Sequence, residues 1–149
     1  MNPSYQLSIL VPTIDEGASL RETVETLTGD AELDSDILEI ILVTCDRTSD
    51  ETLKTCQELK TRCGPRVYTV TQRLGKLGGA FRSGIAEARG SHIVTMFADL
   101  ESDPRLVPRL VSGALGNPGR QTVPLRIPRG VGGIRVRPSG ATLYGASRS

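Results

Sequence analysis

The chain has 149 residues, which is enough for one domain with its own core and too few for two ordinary domains. Its formal net charge is +1, but residues 1–103 hold ten Lys or Arg and all seventeen Asp or Glu, whereas residues 104–149 hold eight Arg, no Lys and no acid. No run approaches the ~20 apolar residues that span a membrane, and the first residues lack the basic and apolar pattern of a signal peptide, so we expect none. Three cysteines without a CxxC pair and one histidine form no obvious zinc set. We expect a cytoplasmic protein with reduced thiols.

Strands and helices alternate along the first hundred residues. The predicted elements are the strand YQLSILVP, the helix SLRETVETL, the strand ILEIILV, the helix SDETLKTCQELKTRC, the strand RVYTVTQ, the helix KLGGAFRSGIAEARG and the strand HIVTMFA. ILEIILV is a continuous apolar run, as expected of a central parallel strand that is buried on both faces. This alternation predicts βαβ units with right-handed crossovers, and therefore an α/β fold around a parallel sheet.

Local signals predict where the helices begin and end. Ser19 with Glu22, and Thr48 with Glu51, have the spacing of a capping box. Gly90 is the predicted end of the third helix. Apolar residues recur in that helix at helical spacing and predict one buried face, formed by Leu77, Ala80, Phe81, Gly84, Ile85 and Ala88.

The alternation of strands and helices fails from about residue 116. The segment that follows is rich in Gly, Pro and Arg and has no sustained hydrophobic period, although a hairpin through VGGIRV is conceivable. We therefore predict an α/β domain over residues 1–115 and a poorly ordered basic tail over residues 116–149.

Four segments with chemical potential follow the four predicted strands. In chain order they are VPTIDEG, VTCDRTSDET, QRLGKLGGA and FADLESDP. In a parallel α/β sheet, ligands collect at the carboxyl ends of the strands, and helix starts at that edge attract phosphates. The sequence therefore predicts one composite site at this edge of the sheet.

The acids of the last segment suit a hard divalent cation. Asp99 and Glu101 are two residues apart, so both can face the same side of an extended chain and share a cation with phosphate oxygens. Lys76 could supply a point charge to a diphosphate. The alternative for Asp99 and Glu101 is a solvated loop, or negative charge at the start of the next helix. Asp103, directly before Pro104, is predicted to cap that helix.

These segments, in this order, resemble the N-terminal half of the family 2 glycosyltransferases, and most closely their dolichyl- and polyprenyl-phosphate mannose synthase-like branch. PTIDE is similar to the family's P-x-x-N-E, TCDRTSDET to V-D-D-G-S-x-D-G-T, GKLGGAFRSG to G-K-G-x-A-x-x-x-G, and FADLESDP to D-A-D-L-x-x-D-P. The resemblance covers residues 6–115. It implies the GT-A fold, a Rossmann-like α/β parallel-sheet domain, of which this would be the nucleotide-sugar-binding half.

The resemblance also implies a function. A family 2 enzyme is a hexosyltransferase that takes a sugar from a nucleotide diphosphate donor, with Mg²⁺ or Mn²⁺, and in this branch the acceptor is a polyprenyl phosphate, which implies peripheral contact with a membrane. Asp99 would be the direct metal ligand and Glu101 a second one. The positions that correspond to donor-binding residues are Pro12, Ile14, Glu16, Asp46, Lys76 and Asp99. The resemblance assigns no catalytic residue.

Three departures from the family pattern shape these expectations. Cys45 replaces the first Asp of the D-D pair, and a thiol cannot accept the two hydrogen bonds that a carboxylate can. Phe97 replaces the first Asp of D-A-D, so metal binding is expected to be weak. The segment after residue 116 resembles nothing in the family's second half, which supplies the acceptor pocket. We therefore expect a family member or a truncated fragment, and turnover by this chain alone is not expected.

A second interpretation starts from the arginines of residues 104–149. In it the α/β region is a non-catalytic nucleotide-binding or scaffold domain, and the basic tail binds RNA or an anionic membrane surface. Tyr144 is the single aromatic residue in this region, so base stacking has little support and nucleic acid is not the expected partner. Polynucleotide binding that falls steeply with salt, without donor binding, would distinguish this interpretation.

Overall fold

The computed structural model describes residues 6–99, 103–109 and 111, and the backbone of residues 134–136. Its elements are β1 (Leu7–Pro12), α1 (Gly17–Gly29), α2 (Ala31–Asp36), β2 (Ile37–Thr44), α3 (Asp50–Cys63), β3 (Val67–Thr71), α4 (Lys76–Glu87), β4 (His92–Thr95), a 3-10 helix (Pro104–Leu106) and β5 (Ile134–Val136). The strand order is β3-β2-β1-β4-β5, and the first four strands are parallel. The predicted α/β fold with a parallel sheet is confirmed.

The centre of the sheet is β1, which pairs with β2 on one side and β4 on the other. Ile9 lies opposite Ile40 and Val94, and all three side chains are fully buried. Because β2 and β3 extend to one side of β1 while β4 lies on the other, the chain reverses its direction of growth beside β1. In open α/β sheets such a switch point, at the carboxyl ends of the strands, is where ligands bind.

Two apolar layers cover the two faces of the sheet. α1 and α3 cover one face, where Leu20, Val24 and Leu59 are fully or almost fully buried. α4 covers the other face and contributes Ala80 and Ile85. Each large aliphatic side chain buried in this way contributes about 1.5–3 kcal/mol, so the mainly aliphatic composition is sufficient for a core.

Gly84 determines how closely α4 packs on the sheet. A Cβ at this position would lie 2.3 Å from Leu10 Cδ2 and 3.1 Å from Val43 Cγ2. At this distance a residue with a side chain fits only if the fully buried Leu10 side chain shifts. The close packing fixes where the amino end of α4 lies relative to the strand ends.

The predicted capping boxes are wrong. α1 begins at Gly17, so Ser19 lies inside its first turn and its hydroxyl donates to Glu16 O at 3.2 Å. The cap of α3 is Ser49, whose hydroxyl oxygen accepts from Thr52 N–H at 3.2 Å. Both predictions relied only on the spacing between a Ser or Thr and a Glu. In α3 the neighbouring hydroxyl, that of Ser49, is better placed than that of Thr48 to accept from the first turn of the helix. Thr48 is thereby available for another contact.

Two predictions about α4 are also wrong. The helix ends at Glu87 and not at Gly90, because the chain at Gly90 approaches β1 so closely that its N–H donates to Ser8 Oγ at 2.8 Å. Leu77 does not lie on the buried face, since 45% of it is exposed. The remaining members of the predicted face are buried or half-buried.

Two short elements were not predicted. α2 begins where Asp30 Oδ1 accepts from the N–H groups of Glu32 and Leu33, both at 3.1 Å. β5 adds to β4 in antiparallel orientation, with Val94 opposite Ile134. Three residues of the predicted basic tail therefore belong to the sheet. Residues 116–133 and 137–149, with the conceivable hairpin turn, lie outside the described residues. Within the described part of the chain, no helix has the length and apolar character to cross a membrane.

Candidate functional site

The loops after β1 and β2 form one hydrogen-bonded unit at the carboxyl edge of the sheet. Thr48 is buried, and its hydroxyl accepts from Cys45 N–H and donates to Thr13 O, both at 2.8 Å. One residue further on, Ser49 N–H donates to Ile14 O at 2.7 Å. These bonds bring together two of the four predicted segments. Sequence reasoning missed this role of Thr48 because it treated the residue as a helix cap.

The loop after β1 exposes an apolar side chain, and a glutamate within the loop stabilises its backbone. Ile14 is 39% exposed, which leaves apolar surface for a base or a ribose. Glu16 folds back, so that its Oε2 accepts from Ile14 N–H at 2.6 Å. Pro12, half-buried, ends β1 just before this turn. Pro12, Ile14 and Glu16 were predicted to line the donor site. Of these, Glu16 uses at least one carboxylate oxygen to stabilise the loop itself.

The loop after β2 presents charges to solvent. Asp46 and Arg47 are both exposed, and among the described residues neither side chain has a hydrogen-bond or ion-pair partner. Cys45, before them, is half-buried. Arg47 was not among the predicted site residues, although it occupies the position of the glycine in the motif that this segment resembles. It places a second cation at the edge where Lys76 was expected to act.

The turn between β3 and α4 is tightly constructed. Gln72 Nε2–H donates to Leu74 O at 2.7 Å and to Lys76 O at 3.3 Å. A Cβ at Gly79 would lie 2.0 Å from Leu74 O, so the turn closes only over a glycine. Lys76 is exposed and has a φ of 66°, in the left-handed region that costs a non-glycine residue about 1–2 kcal/mol. Strained residues of this kind cluster at functional sites.

An aromatic pair connects the start of α4 with the end of β4. Phe97 is half-buried and packs edge-on against Phe81, with 6.3 Å between ring centroids and 63° between ring planes. Phe81 lies five residues after Lys76, ~7.5 Å along the helix. The second turn of α4 therefore lies near the end of β4, where Asp99 is exposed.

The acids after β4 have different roles. Asp103 is a cap, as predicted: its Oδ1 accepts from Arg105 N–H at 3.0 Å, and its carboxylate forms an ion pair with the Arg105 guanidinium at 2.9 Å. These hydrogen bonds lower the pKa of Asp103. Glu101, the predicted second metal ligand, lies outside the described residues. Among the residues that are described, no three of His, Cys, Asp or Glu form a group that could hold a metal.

These donors fit a cation that is shared with a substrate and not one held by the protein alone. Asp99 offers one exposed carboxylate, while Phe97 offers a ring that is already packed on Phe81. Mg²⁺ is commonly bound by one or two carboxylates together with substrate phosphates. The donor set at this edge therefore fits Mg²⁺ or Mn²⁺ only in the presence of a phosphate ligand.

The strand order sets the layout of the edge. From one side to the other come the turn with Lys76, the loop with Asp46, the loop over Pro12 to Glu16, and the chain at Asp99. Neighbouring strands lie about 4.8 Å apart, so the segments after β2 and β4 flank the β1 loop at a separation of about 10 Å. This span suits an extended ligand more than a single ion.

Comparison with known proteins identifies relatives of the chain. The family model described as Glycosyl transferase family 2 matches residues 8–144, which extends past the predicted boundary at residue 115. The chain is 31% identical over 112 residues to the undecaprenyl-phosphate 4-deoxy-4-formamido-L-arabinose transferase of Enterobacter sp. (strain 638), with 74% of this chain and 34% of that protein covered. It is 32% identical over 106 residues to the dolichol-phosphate mannosyltransferase of Pyrococcus furiosus, with 71% and 29% covered.

A solved structure supports the fold. Glucosyl-3-phosphoglycerate synthase from Mycobacterium tuberculosis, in complex with Mn²⁺, UDP and phosphoglyceric acid, is similar with a TM-score of 0.60 at 23% identity. The similarity covers 81% of this chain and 43% of that one. The chain also spans only about a third of the length of the two sequence relatives.

Proposed function

The chain belongs to glycosyl transferase family 2, and we propose that its carboxyl-edge loops bind a nucleotide diphosphate sugar for transfer to a lipid phosphate. The observation that carries the proposal is the junction of the β1 and β2 loops through Thr48, beside the amino end of α4. A preformed junction of this kind presents backbone and side-chain groups from several strands to one ligand. Two relatives named for undecaprenyl phosphate and dolichol phosphate support the lipid acceptor.

The anionic part of the donor would lie at the start of α4. The first N–H groups of a helix have no partner within it and carry partial positive charge, so this end attracts a diphosphate. Lys76 adds a full positive charge there, and Arg47 adds another from the β2 loop. The exposed surface of Ile14 would contact the base or the ribose. With Cys45 in place of a carboxylate, base recognition would depend mainly on backbone groups and Asp46.

A divalent cation would be held by Asp99 and the donor phosphates. When bound, Mg²⁺ or Mn²⁺ stabilises the negative charge that develops on the departing nucleotide diphosphate. Phe97 contributes an apolar wall to this part of the site and no ligand. We therefore expect metal binding that is weak alone and strengthened by the donor. The Mn²⁺ and UDP in the solved structure of the glucosyl-3-phosphoglycerate synthase are consistent with this pairing.

The transfer replaces one bond of the sugar by another. Its bond to the diphosphate breaks, the nucleotide diphosphate leaves with the electron pair, and an acceptor oxygen forms the new bond. A lipid phosphate acceptor is already anionic, so the demand for a general base is small. The chain spans about a third of the length of the two relatives named for a lipid phosphate. A lipid acceptor implies peripheral contact with a membrane.

Calorimetry tests donor binding. UDP- and GDP-sugars in the presence of Mn²⁺ are expected to bind with a Kd of about 1 mM or tighter. Lys76→Ala should weaken binding about tenfold because it removes the charge next to the diphosphate. Lys60→Ala is the matched control, since Lys60 lies near the far end of α3. No heat with any donor, or equal losses in the two variants, would contradict the proposal.

Thiol alkylation gives an independent readout. Cys45 is half-buried at the site, whereas Cys63 is half-buried at the end of α3, towards the opposite edge of the sheet. A bound donor should slow alkylation of Cys45 and leave that of Cys63 unchanged. Protection of neither thiol, together with salt-sensitive binding of a polynucleotide, would favour the non-catalytic alternative with a basic tail.

A further inference from the structure

The start of α4 carries apolar side chains that the proposed donor site does not use. Leu74 is 55% exposed and Leu77 is 45% exposed, the two highest values among the large hydrophobic residues that the structure describes. Gly75 and Gly78 lie beside them, and a Cβ at either glycine would meet nothing within 4 Å. The two leucines therefore project from a surface that neighbouring side chains do not cover.

The turn holds these leucines in place. Gln72 bonds to the carbonyl of Leu74, and Arg73 N–H donates to Ser83 Oγ at 3.0 Å. Because these bonds tie the turn to the body of α4, the backbone at Leu74 cannot move inward without breaking them. The hydrogen-bonded turn therefore keeps the leucines at the surface.

The surroundings of the leucines are cationic. Residues 71–86, which include both leucines, contain Arg73, Lys76 and Arg82 and no acid. Arg73 precedes Leu74 in the chain, and Arg82 precedes Ser83, whose hydroxyl accepts from Arg73 N–H. Neither arginine forms an ion pair with any described residue. We call Arg73, Leu74, Leu77 and Arg82 together the α4 start surface.

We infer that the α4 start surface docks onto an anionic lipid bilayer. Exposed leucines insert among lipid chains, and arginines around them contact anionic headgroups, which is the combination that interfacial binding requires. The inference rests on the proposed function, because it places the donor site at the membrane that would carry a lipid phosphate acceptor. Lys76 lies between the two leucines, so a docked surface brings the diphosphate site next to the headgroups.

Charge decides between a bilayer and a second copy of the chain. In a symmetric dimer each surface would face its own copy, so Arg73 and Arg82 would meet the same arginines across the interface. Like charges so close repel, whereas an anionic bilayer attracts them. Leu53, 43% exposed on α3, differs because it follows Asp50 and Glu51 and so has an acidic surrounding.

Sedimentation with vesicles tests the inference. The full chain should partition onto phosphatidylglycerol vesicles and much less onto phosphatidylcholine vesicles. The double variant Leu74→Ser, Leu77→Ser should weaken partition at least about tenfold, and Arg73→Gln with Arg82→Gln by about tenfold or more at low salt. Leu53→Ser is the matched control and should bind like the unmodified chain. Because all of these residues are exposed, melting temperatures should stay close together.

The outcomes separate this inference from the proposed function. Donor binding is measured by calorimetry without vesicles, so vesicle binding without donor binding supports docking and overturns only the donor site. Donor binding without vesicle binding overturns only the docking. Equal partition of the Leu74/Leu77 double variant and the unmodified chain also overturns it. So does concentration-dependent self-association that the double variant abolishes in the absence of vesicle binding.

Discussion

The two edges of the sheet treat their acidic residues in opposite ways. At the amino edge, Glu39 is fully buried and accepts four hydrogen bonds. They come from Ser8 Oγ–H at 2.7 Å, Arg89 N–H at 2.6 Å, Arg89 Nε–H at 3.1 Å and Tyr68 O–H at 2.8 Å. At the carboxyl edge, Asp15 and Asp46 are exposed, and neither carboxylate bonds to another described residue. The first arrangement is closed, and the second leaves carboxylates in contact with solvent.

The ionisation of Glu39 reflects this closed arrangement. Burial by itself raises the pKa of Glu39, but the hydrogen bonds from Arg89, Ser8 and Tyr68 outweigh burial and leave the pKa lowered. The same contact, with burial as the larger cause, raises the pKa of Tyr68 to about 12. The carboxylate is therefore charged and fully bonded at neutral pH.

The contrast explains why only one edge is a candidate site. A carboxylate whose hydrogen-bonding capacity is used within the protein has nothing to offer a ligand, and it joins three elements of the fold. An exposed carboxylate at a strand end contributes little to stability and can bind a substrate or a cation. If this contrast holds, changes at the amino edge should alter mainly stability, and changes at the carboxyl edge should alter mainly binding.

The largest effect is expected at the amino edge. Glu39→Ala leaves Ser8, Arg89 and Tyr68 without their acceptor and opens a cavity, so it should lower the free energy of unfolding by about 3 kcal/mol. Asp46→Ala is the matched control and should change it by less than about 0.5 kcal/mol. Urea unfolding measures both. Equal effects would show that the two edges do not differ in this way.

Acid should weaken the same contact. The folded pKa of Glu39 is below its ordinary value of 4.5, so its stabilising effect is complete above that value and is lost as the pH falls through the folded pKa. The stability of the unmodified chain should therefore decline on acidification below about pH 4.5, and that of Glu39→Gln should decline less. Urea midpoints across this range measure the difference. Parallel declines would remove Glu39 as the cause.

At the carboxyl edge the largest effect is expected from Thr48. Thr48→Val keeps the shape but leaves Cys45 N–H without its acceptor, at a cost of about 2 kcal/mol. Because the junction of the two loops is lost, donor affinity in calorimetry should fall as well. Thr48→Ser keeps the hydroxyl and should restore affinity. A loss of stability without loss of affinity would make the junction structural, like the amino edge.

Most of the sheet could be predicted from local pattern. The apolar runs of β1 to β4 and the helical spacing in α1, α3 and α4 are signals within one segment. β5 is three residues long and pairs with a strand about forty residues earlier, so no local period indicates it. α2 has six residues and a polar surface, and its one signal was the cap at Asp30. Periodicity also placed Leu77 on the buried face of α4. The period shows which residues lie on one side of a helix, but not whether another element covers each of them.

The position of the candidate site could be predicted from the sequence, but the contacts within it could not. Strand ends collect ligands, so the segments with Ile14, Asp46, Lys76 and Asp99 could be named from the sequence. The junction at Thr48 joins residues 35 apart in the chain, and it competed with a local capping pattern that had the same residue types. The Phe81–Phe97 contact likewise depends on how α4 packs across the sheet. Gly84 allows this close packing, but a glycine in the sequence does not predict it.

The backbone of Lys76 separates strain from charge at one position. Lys76→Gly relieves the left-handed φ and should raise the free energy of unfolding by about 1 kcal/mol, while it removes the charge and weakens donor binding. Lys76→Ala removes the same charge and keeps the strain, so it should weaken binding without the gain in stability. Thermal unfolding and donor calorimetry on both variants test this. If both Lys76→Gly and Lys76→Ala stabilise the fold, the cause is the loss of the charge and not the relief of backbone strain.

The smallest effect is expected at Phe97, where a change that favours metal binding should cost stability. Phe97→Asp adds a carboxylate two residues before Asp99, and it should strengthen Mn²⁺ binding in the presence of a nucleotide about fivefold. The same change removes the edge-on contact with Phe81 and should cost about 1 kcal/mol of stability. Mn²⁺ titration and melting temperature measure the two sides of this exchange.

Two controls decide what Phe97→Asp means. Phe97→Leu loses the aromatic contact without adding a carboxylate, so it should match the stability loss and leave Mn²⁺ binding unchanged. Asp99→Ala should abolish donor-dependent Mn²⁺ binding, whereas Asp36→Ala, just before β2 at the amino edge, should not. If Asp99→Ala leaves Mn²⁺ binding intact and Phe97→Asp only destabilises the fold, the acids after β4 form a solvated loop. The carboxyl edge would then bind a donor without a protein-held metal, and its exposed carboxylates would need another explanation.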